Sequence, residues 1–256
     1  MYTGALTIVA YFFLFIISTL HDTQQIMFSV PKLNVFERII LASGSPRRKE
    51  ILENKGGLSN LIISPSTYEE ENKGLVDKLD VYKYITDIAV GKVKQVALLD
   101  KSKMDGVVHT KTLYIGADTI VFHKGKILEK PTDKKDALSM LKEFRKDVDH
   151  QVCSAVVLLV FNEKNSTSQD QFEIHSFHET TDVKFTSGLS DEILEHYVDT
   201  GEPMDKAGGY GIQGLGAQLI ESIHGDYYNV MGFPLYRFCQ ELNMFIETLQ
   251  CKSLFL

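Results

Sequence analysis

After Pro31 the chain alternates apolar runs of strand length with stretches of helical periodicity, and that alternation admits few architectures. Arg38-Ile39-Ile40-Leu41-Ala42 predicts a strand. A helix should follow, with Ser45 as its cap and Pro46 in its first position, and stop at Gly56-Gly57. Leu61-Ile62-Ile63 reads as a second strand. Within 77–99, Leu79, Tyr82, Ile85, Ala89, Val93, Val96 and Ala97 recur at helical spacing, with Gly91 as a local weakness, and 100–111 reads as a charged loop. Leu113-Tyr114-Ile115 should end at Gly116-Ala117-Asp118-Thr119, and Ile120-Val121-Phe122 should form a hairpin with Ile127-Leu128. A helix over 133–144, capped by Thr132, precedes two β-rich runs, 152–161 and 172–185, whose succession suggests antiparallel neighbours. Ser190 begins a short helix that Gly201 ends, and Pro234 opens the last one. Helices and strands alternate early while strands run together in the middle. The expected fold is therefore α/β, with a mixed, partly antiparallel sheet and flanking helices. Residues 37–250 form its body, 1–36 an extension and 251–256 a tail.

Composition narrows the function. With 44% hydrophobic and 24% charged residues, Gly 18 and Pro 6, the 256-residue chain is globular and neither collagen-like nor disordered. Its 27 Lys and Arg against 34 Asp and Glu give a net charge of −7, a field that repels long polyanions, so nucleic acid is not an expected partner. A small polyanion remains compatible, because salt screens distant charge within about 8 Å and a few convergent cations then dominate. Cys153, Cys239 and Cys251 form an odd, widely spaced set that suggests reduced thiols, not a disulfide framework or a zinc site.

Residues 1–20 carry no charge, and 15 of them are hydrophobic. Twenty residues of helix reach roughly 30 Å, so a membrane anchor fits on length. A cleaved signal lacks its positive n-region here, translation from Met27 is a third reading, and an extension without catalytic role is favoured over anchor and signal. Membrane contact is expected only if 1–20 acts as an anchor; otherwise the protein is expected in the cytoplasm. The sequon Asn165-Ser166-Thr167 matters only in a secretory lumen.

Four segments carry chemistry. Ser43-Gly44-Ser45-Pro46-Arg47-Arg48-Lys49, between a strand and a helix start, can aim backbone N–H groups at a phosphate, with Arg47 and Arg48 adding bidentate contacts; a solvated basic turn is the plainer alternative. It lacks the Gly-Lys-Ser/Thr ending of a Walker loop. Asp118, at an expected strand end, can hold a metal ion, take a proton from water or simply form a turn. Pro131 restricts Lys130 to an extended conformation. The glycines of Asp205-Lys206-Ala207-Gly208-Gly209-Tyr210-Gly211-Ile212-Gln213-Gly214 permit close approach to a ligand, with Lys206 and Gln213 offering a charge and an amide, or they mark a flexible loop. The run Glu69-Glu70-Glu71 is of a kind usually just solvated.

Together LASGSPRRKEIL, IGADTIV, LEKP, GEPMDKAGGYGIQG and IHGDYYNVMGFPL, in this order, resemble the Maf family of nucleoside triphosphate pyrophosphatases over about residues 38–245. The resemblance implies two lobes around a deep cleft. It also implies hydrolysis of a nucleoside triphosphate to monophosphate and pyrophosphate, with a divalent cation, Mg²⁺ or Mn²⁺, and a role in sanitising nucleotide pools. Carried over, Asp118 matches the catalytic acceptor, and Arg47, Thr119 and Gln213 the positions that set base preference in the branch acting on dTTP and UTP. Ser43, Arg48, Lys92, Lys130 and Lys206 match phosphate contacts, and Glu70 with Asp118 the metal contacts. Two other readings stay open: the branch acting on methylated guanine or other modified nucleotides, and a nucleotide-binding regulator without turnover. The expected partner is the nucleoside triphosphate, and a homodimer is left open.

Overall fold

The two long β-rich runs in mid-sequence pair with each other and with the strand before them, and this pairing organises the molecule. The computed structural model describes residues 30–68, 78–103, 111–146, 148–162 and 171–252; the apolar segment 1–20, Glu70 and the sequon at 165–167 lie outside these. β1 (Arg38–Leu41) leads into α1 (Pro46–Glu50), which continues as a wider π-type turn over Ile51–Lys55. β2 (Leu61–Ile63) lies parallel to β1, and so does β3 (Thr112–His123), which follows α2 (Lys78–Lys103). The rest is antiparallel. β4 (Lys126–Leu128) folds back on the end of β3, and β5 (Asp149–Phe161) pairs with β3 from Tyr114↔Leu159 to Phe122↔Gln151. β6 (Phe172–Phe185) pairs with β5, and β7 (Ile220–His224) closes the far edge in the order β2-β1-β3-β5-β6-β7. The remaining helices are α3 (Lys134–Lys146), α4 (Asp191–Asp199), α5 (Tyr227–Met231) and α6 (Leu235–Cys251).

The central strands are buried on both faces, which is why β5 is apolar almost throughout instead of alternating. Leu113, Ile115, Val156, Leu158 and Val160 meet Phe238, Leu242, Phe245, Ile246 and Leu249 of α6. The opposite side chains, Tyr114, Ile120, Ala155, Val157 and Leu159, meet Val81, Ile85, Ala89, Val93 and Val96 of α2. Each large apolar side chain so buried contributes about 1.5–3 kcal/mol of transfer free energy. A third cluster forms at the distal ends of β3 and β5. There Val121 and Val152 pack with Leu141 and Phe144 of α3, Leu194 and Val198 of α4, and Phe185. The cleft opens between the first two clusters and this third one. Contact between α2 and β3 is close because residue 116 is glycine: a Cβ there would lie 2.8 Å from the Ala89 carbonyl and from Val93 Cβ.

Several local expectations need correction. α2 runs to Lys103, so the loop expected from residue 100 begins later. Asp133, not Thr132, caps α3: its carboxylate accepts the Asp136 N–H at 2.8 Å, while Thr132 donates to the Asp136 carboxylate. β3 does not end at Gly116–Thr119 but runs through it, because β5 supplies a partner along that whole stretch. Ser45 and Ser190 cap their helices as their sequences suggest. The three cysteines are thiols. Among the described residues no helix is long and apolar enough to cross a membrane.

Candidate active site

The site begins where β1 stops. β1 accompanies β3 only as far as Ile115, with the Ala42 N–H donating to the Ile115 carbonyl at 2.8 Å, and β4 takes up the same edge from Val121. Between them residues 117–119 have no strand beside them on that side. The turn after β1 fills the gap. Ser45, in an extended conformation, caps α1 by accepting the Arg48 N–H, and Ser43 Oγ accepts the Ser45 N–H at 3.2 Å. This aims Arg48 at the open edge.

Arg48 is half-buried there and divides its donors among four acceptors. They are Ala117 O at 2.9 Å, Thr119 Oγ1 at 3.0 Å, Ser43 Oγ at 3.1 Å and, from Nε, Gly232 O at 3.0 Å. Burial lowers its pKa from the ordinary guanidinium value, with the Asp118 charge opposing and Arg47 assisting. With four of five N–H groups committed, the bidentate phosphate grip expected of Arg48 would require breaking these bonds. Its positive charge still faces the cleft. Thr119 is similarly engaged, its hydroxyl also meeting Ser154 Oγ at 2.8 Å and Gly232 O at 3.2 Å.

Asp118 shares a face of β3 with Gly116 and Ile120 and so faces α2, where Lys92 Nζ meets its Oδ1 at 2.5 Å. The other carboxylate oxygen is not used in that contact. Tyr68 forms the neighbouring wall. Gly91 admits it: a Cβ at 91 would come within 2.2 Å of the Tyr68 ring, so the weak point of the helical pattern is the seat of an aromatic side chain. Gln95, one turn on, holds the same segment through Ser66 Oγ at 2.5 Å and the Thr67 N–H at 2.9 Å.

The far wall comes from the loops around α3 and α4. Lys130 is exposed and makes no hydrogen bond or ion pair among the described residues. Lys206 donates to Glu202 O at 2.6 Å and to Asp205 Oδ1 at 2.7 Å, and Arg47 meets Asp205 Oδ2 at 2.7 Å. Glu202 pins the glycine-rich loop by accepting the Leu215 and Gly216 N–H groups at 2.8 and 3.1 Å and the Tyr197 hydroxyl at 3.0 Å. Burial, then the Glu202 charge, push the Tyr197 pKa up, so it remains a donor. Gln213 is exposed on this loop.

Ser43, Arg47, Arg48, Lys92, Asp118, Thr119, Lys130, Lys206 and Gln213 all line one cleft of about 700 Å³. Glu70 lies outside the described residues. Five cations face three carboxylates, Asp118, Glu129 and Asp205, so the cleft is positive in a chain of net charge −7. Tyr68, Tyr84, Glu129 and Asp205 also line it, and the sequence reading gave them no role; Tyr84 donates to Glu129 at 3.0 Å. Gly91 was the only signal for Tyr68, and no local pattern pointed to the others. Among the described residues no three His, Cys, Asp or Glu side chains converge as a ready-made metal site. Mg²⁺, however, is commonly held by one or two carboxylates with substrate phosphates and water completing its shell. The Asp118 carboxylate fits a metal that arrives with its substrate.

Residues 38–245 match the family described as Maf-like protein. A human protein named probable bifunctional dTTP/UTP pyrophosphatase/methyltransferase is 44% identical over 211 residues, which are 80% of this chain and 32% of the human one. The chain thus spans about a third of that relative's length. A dTTP/UTP pyrophosphatase of Dictyoglomus turgidum is 39% identical over 82% of this chain and 96% of its own. One of Schizosaccharomyces pombe is 41% identical over 78% and 80%.

Proposed function

The chain belongs to the Maf-like protein family, and from that premise we propose that it hydrolyses nucleoside triphosphates, dTTP and UTP foremost, to nucleoside monophosphate and pyrophosphate. The observation that carries this is the gathering of Arg47, Arg48, Lys92, Lys130 and Lys206 around Asp118 in one cleft. A triphosphate carries several negative charges, and a net-negative protein can hold it only where cations converge. Lys92, Lys130 and Lys206 are the donors that can meet phosphate oxygens, while Arg48 supplies charge from behind the β3 edge.

The reaction consumes one water: its oxygen bonds to the α-phosphorus, the bond to the bridging oxygen breaks, and pyrophosphate leaves. Asp118 accepts the proton of the attacking water, with Lys92 on Oδ1 orienting the carboxylate. Lys130 and Lys206 neutralise charge on the departing pyrophosphate. Asp118 would also be a ligand from the protein to Mg²⁺ or Mn²⁺, alongside Glu70 as the family resemblance implies, and such an ion would supply further neutralisation of phosphate charge when bound. Base choice falls to Arg47, Gln213 and the frame around Thr119. The Gln213 amide can both donate to and accept from a pyrimidine edge. The methyl that separates thymine from uracil is worth about 1–3 kcal/mol at most, so both substrates are accepted. In the cytoplasm this activity would clear nucleotide pools.

The test is pyrophosphate release from dTTP and UTP with Mg²⁺ or Mn²⁺, compared with ATP, GTP and a methylated GTP, in wild type and Asp118→Asn. We expect the pyrimidine nucleotides to be fastest and the variant to lose about 10²–10⁴-fold in kcat. Binding without turnover would make the protein a regulator, and preference for methylated GTP would move it to the other branch.

A further inference from the structure

The ion pair at the mouth of the cleft joins groups from its two sides. Arg47 lies on α1, and its NH1 meets Asp205 Oδ2 at 2.7 Å while its NH2 meets the backbone carbonyl of the same residue at 3.0 Å. The second carboxylate oxygen, Oδ1, takes Lys206 Nζ at 2.7 Å. One residue thus holds a cation on each oxygen and fixes the guanidinium plane through its main chain as well. Lys206 is anchored a second time, on Glu202 O. Through Leu215 and Gly216, Glu202 also fixes the end of the loop that carries Gln213.

This pair does little for stability. Asp205 is 55% exposed, and exposed ion pairs contribute little to stability. Arg47, at 22%, is the more buried partner, and among the described residues three of its five N–H groups are left for a ligand. Without the carboxylate, the side chain of an arginine at a cleft mouth explores several rotamers, and a group that reads a base edge must be fixed to discriminate.

We propose that Asp205 is the positioning residue for base selection: it locks Arg47 against the loop bearing Lys206 and Gln213, so that the groups on both sides of the cleft present one rigid pattern to the nucleobase. The inference rests on the nucleotide-hydrolase reading above. It adds a determinant that touches no reacting atom and acts through Arg47. An incoming nucleobase then meets donors already oriented, and the wrong base meets donors that cannot turn to suit it.

The experiment measures kcat and KM for dTTP and ATP in wild type, Asp205→Asn, Asp205→Glu, Arg47→Met and the double variant Asp205→Asn/Arg47→Met. Asparagine keeps the shape but loses the charge and one acceptor. We expect it to lower the dTTP:ATP ratio of kcat/KM about tenfold, mainly through a higher KM for dTTP, with glutamate restoring part of the ratio. In the Arg47→Met background the second substitution should change the ratio no further. An unchanged ratio in Asp205→Asn overturns the proposal, as do additive effects in the double variant or a collapse of kcat at constant KM. If the wild type turns over no nucleotide, the hydrolase reading falls and this inference with it; if it turns over dTTP and the ratio ignores Asp205, only this inference falls.

Discussion

Replacing Arg48 by lysine separates two roles that its position in the cleft could give it. The guanidinium reaches four acceptors on three segments, Ser43, the β3 edge at Ala117 and Thr119, and Gly232, at 2.9–3.1 Å. A lysine ammonium keeps the charge but offers three donors from one point, and cannot reach both Ala117 O and Gly232 O from there. At the lower end of about 1.5 kcal/mol for each charge-assisted hydrogen bond, losing two costs about 3 kcal/mol. In a domain of this size each kcal/mol shifts Tm by about 2–4 °C, so thermal unfolding should show a fall of about 6–12 °C. Activity should fall less steeply than stability, since the charge behind Asp118 persists. An unchanged Tm together with a loss of kcat/KM above about 100-fold would refute the reasoning, because it would mean that the Arg48 donors serve the substrate and not the fold.

Gly116→Ala places a Cβ 2.8 Å from the Ala89 carbonyl, where ordinary contact begins near 3.4 Å, so α2 must retreat by about 0.6 Å. We expect a stability loss of about 1–3 kcal/mol by urea unfolding and, because Lys92 rides on the same turn, a lower kcat; unchanged values for both would contradict the close packing described. His150 is buried against Tyr210, its Nε2 2.7 Å from the hydroxyl, and burial first, then the nearby His123, pulls its pKa down to about 3. The unfolded chain takes up a proton near pH 6.5 that the folded chain refuses, so this residue's contribution is present above pH 6.5 and lost as pH falls toward 3. His150→Asn should flatten the decline in stability by up to about 1.4 kcal/mol per pH unit between pH 6.5 and 4, read from urea midpoints, whereas an identical slope would mean that His150 titrates normally.

What the sequence made legible was mostly local. The Ser45 cap, Pro46, the period of α2 and the glycine stop after residue 55 depend on neighbours within a turn or two, and the structure has them. The site residues from Ser43 to Gln213 came through resemblance of motifs, and all those described line the cleft. Long-range pairing was hidden. Asp118 reads as a strand-end residue because glycine and alanine precede it, yet β5, some thirty-seven residues away at Ala155, keeps β3 extended past it. The true discontinuity is that β1 stops at Leu41, and only the folded sheet shows it. Arg48 could not be read as a filler of that gap, since its acceptors are two distant carbonyls and two hydroxyls. Gly91 reads as a defect in the helical pattern, and only the fold brings Tyr68 against it. Asp205 and Glu202 sat in plain view in a recognised segment, but acidic residues beside a lysine carry no signal of what they hold.

The most direct test of the central claim follows the attacking oxygen. Hydrolysis of dTTP in ¹⁸O-labelled water, with products resolved by mass spectrometry, should place the label in dTMP and leave the pyrophosphate unlabelled. Label in pyrophosphate, or release of dTDP with inorganic phosphate, would contradict the account.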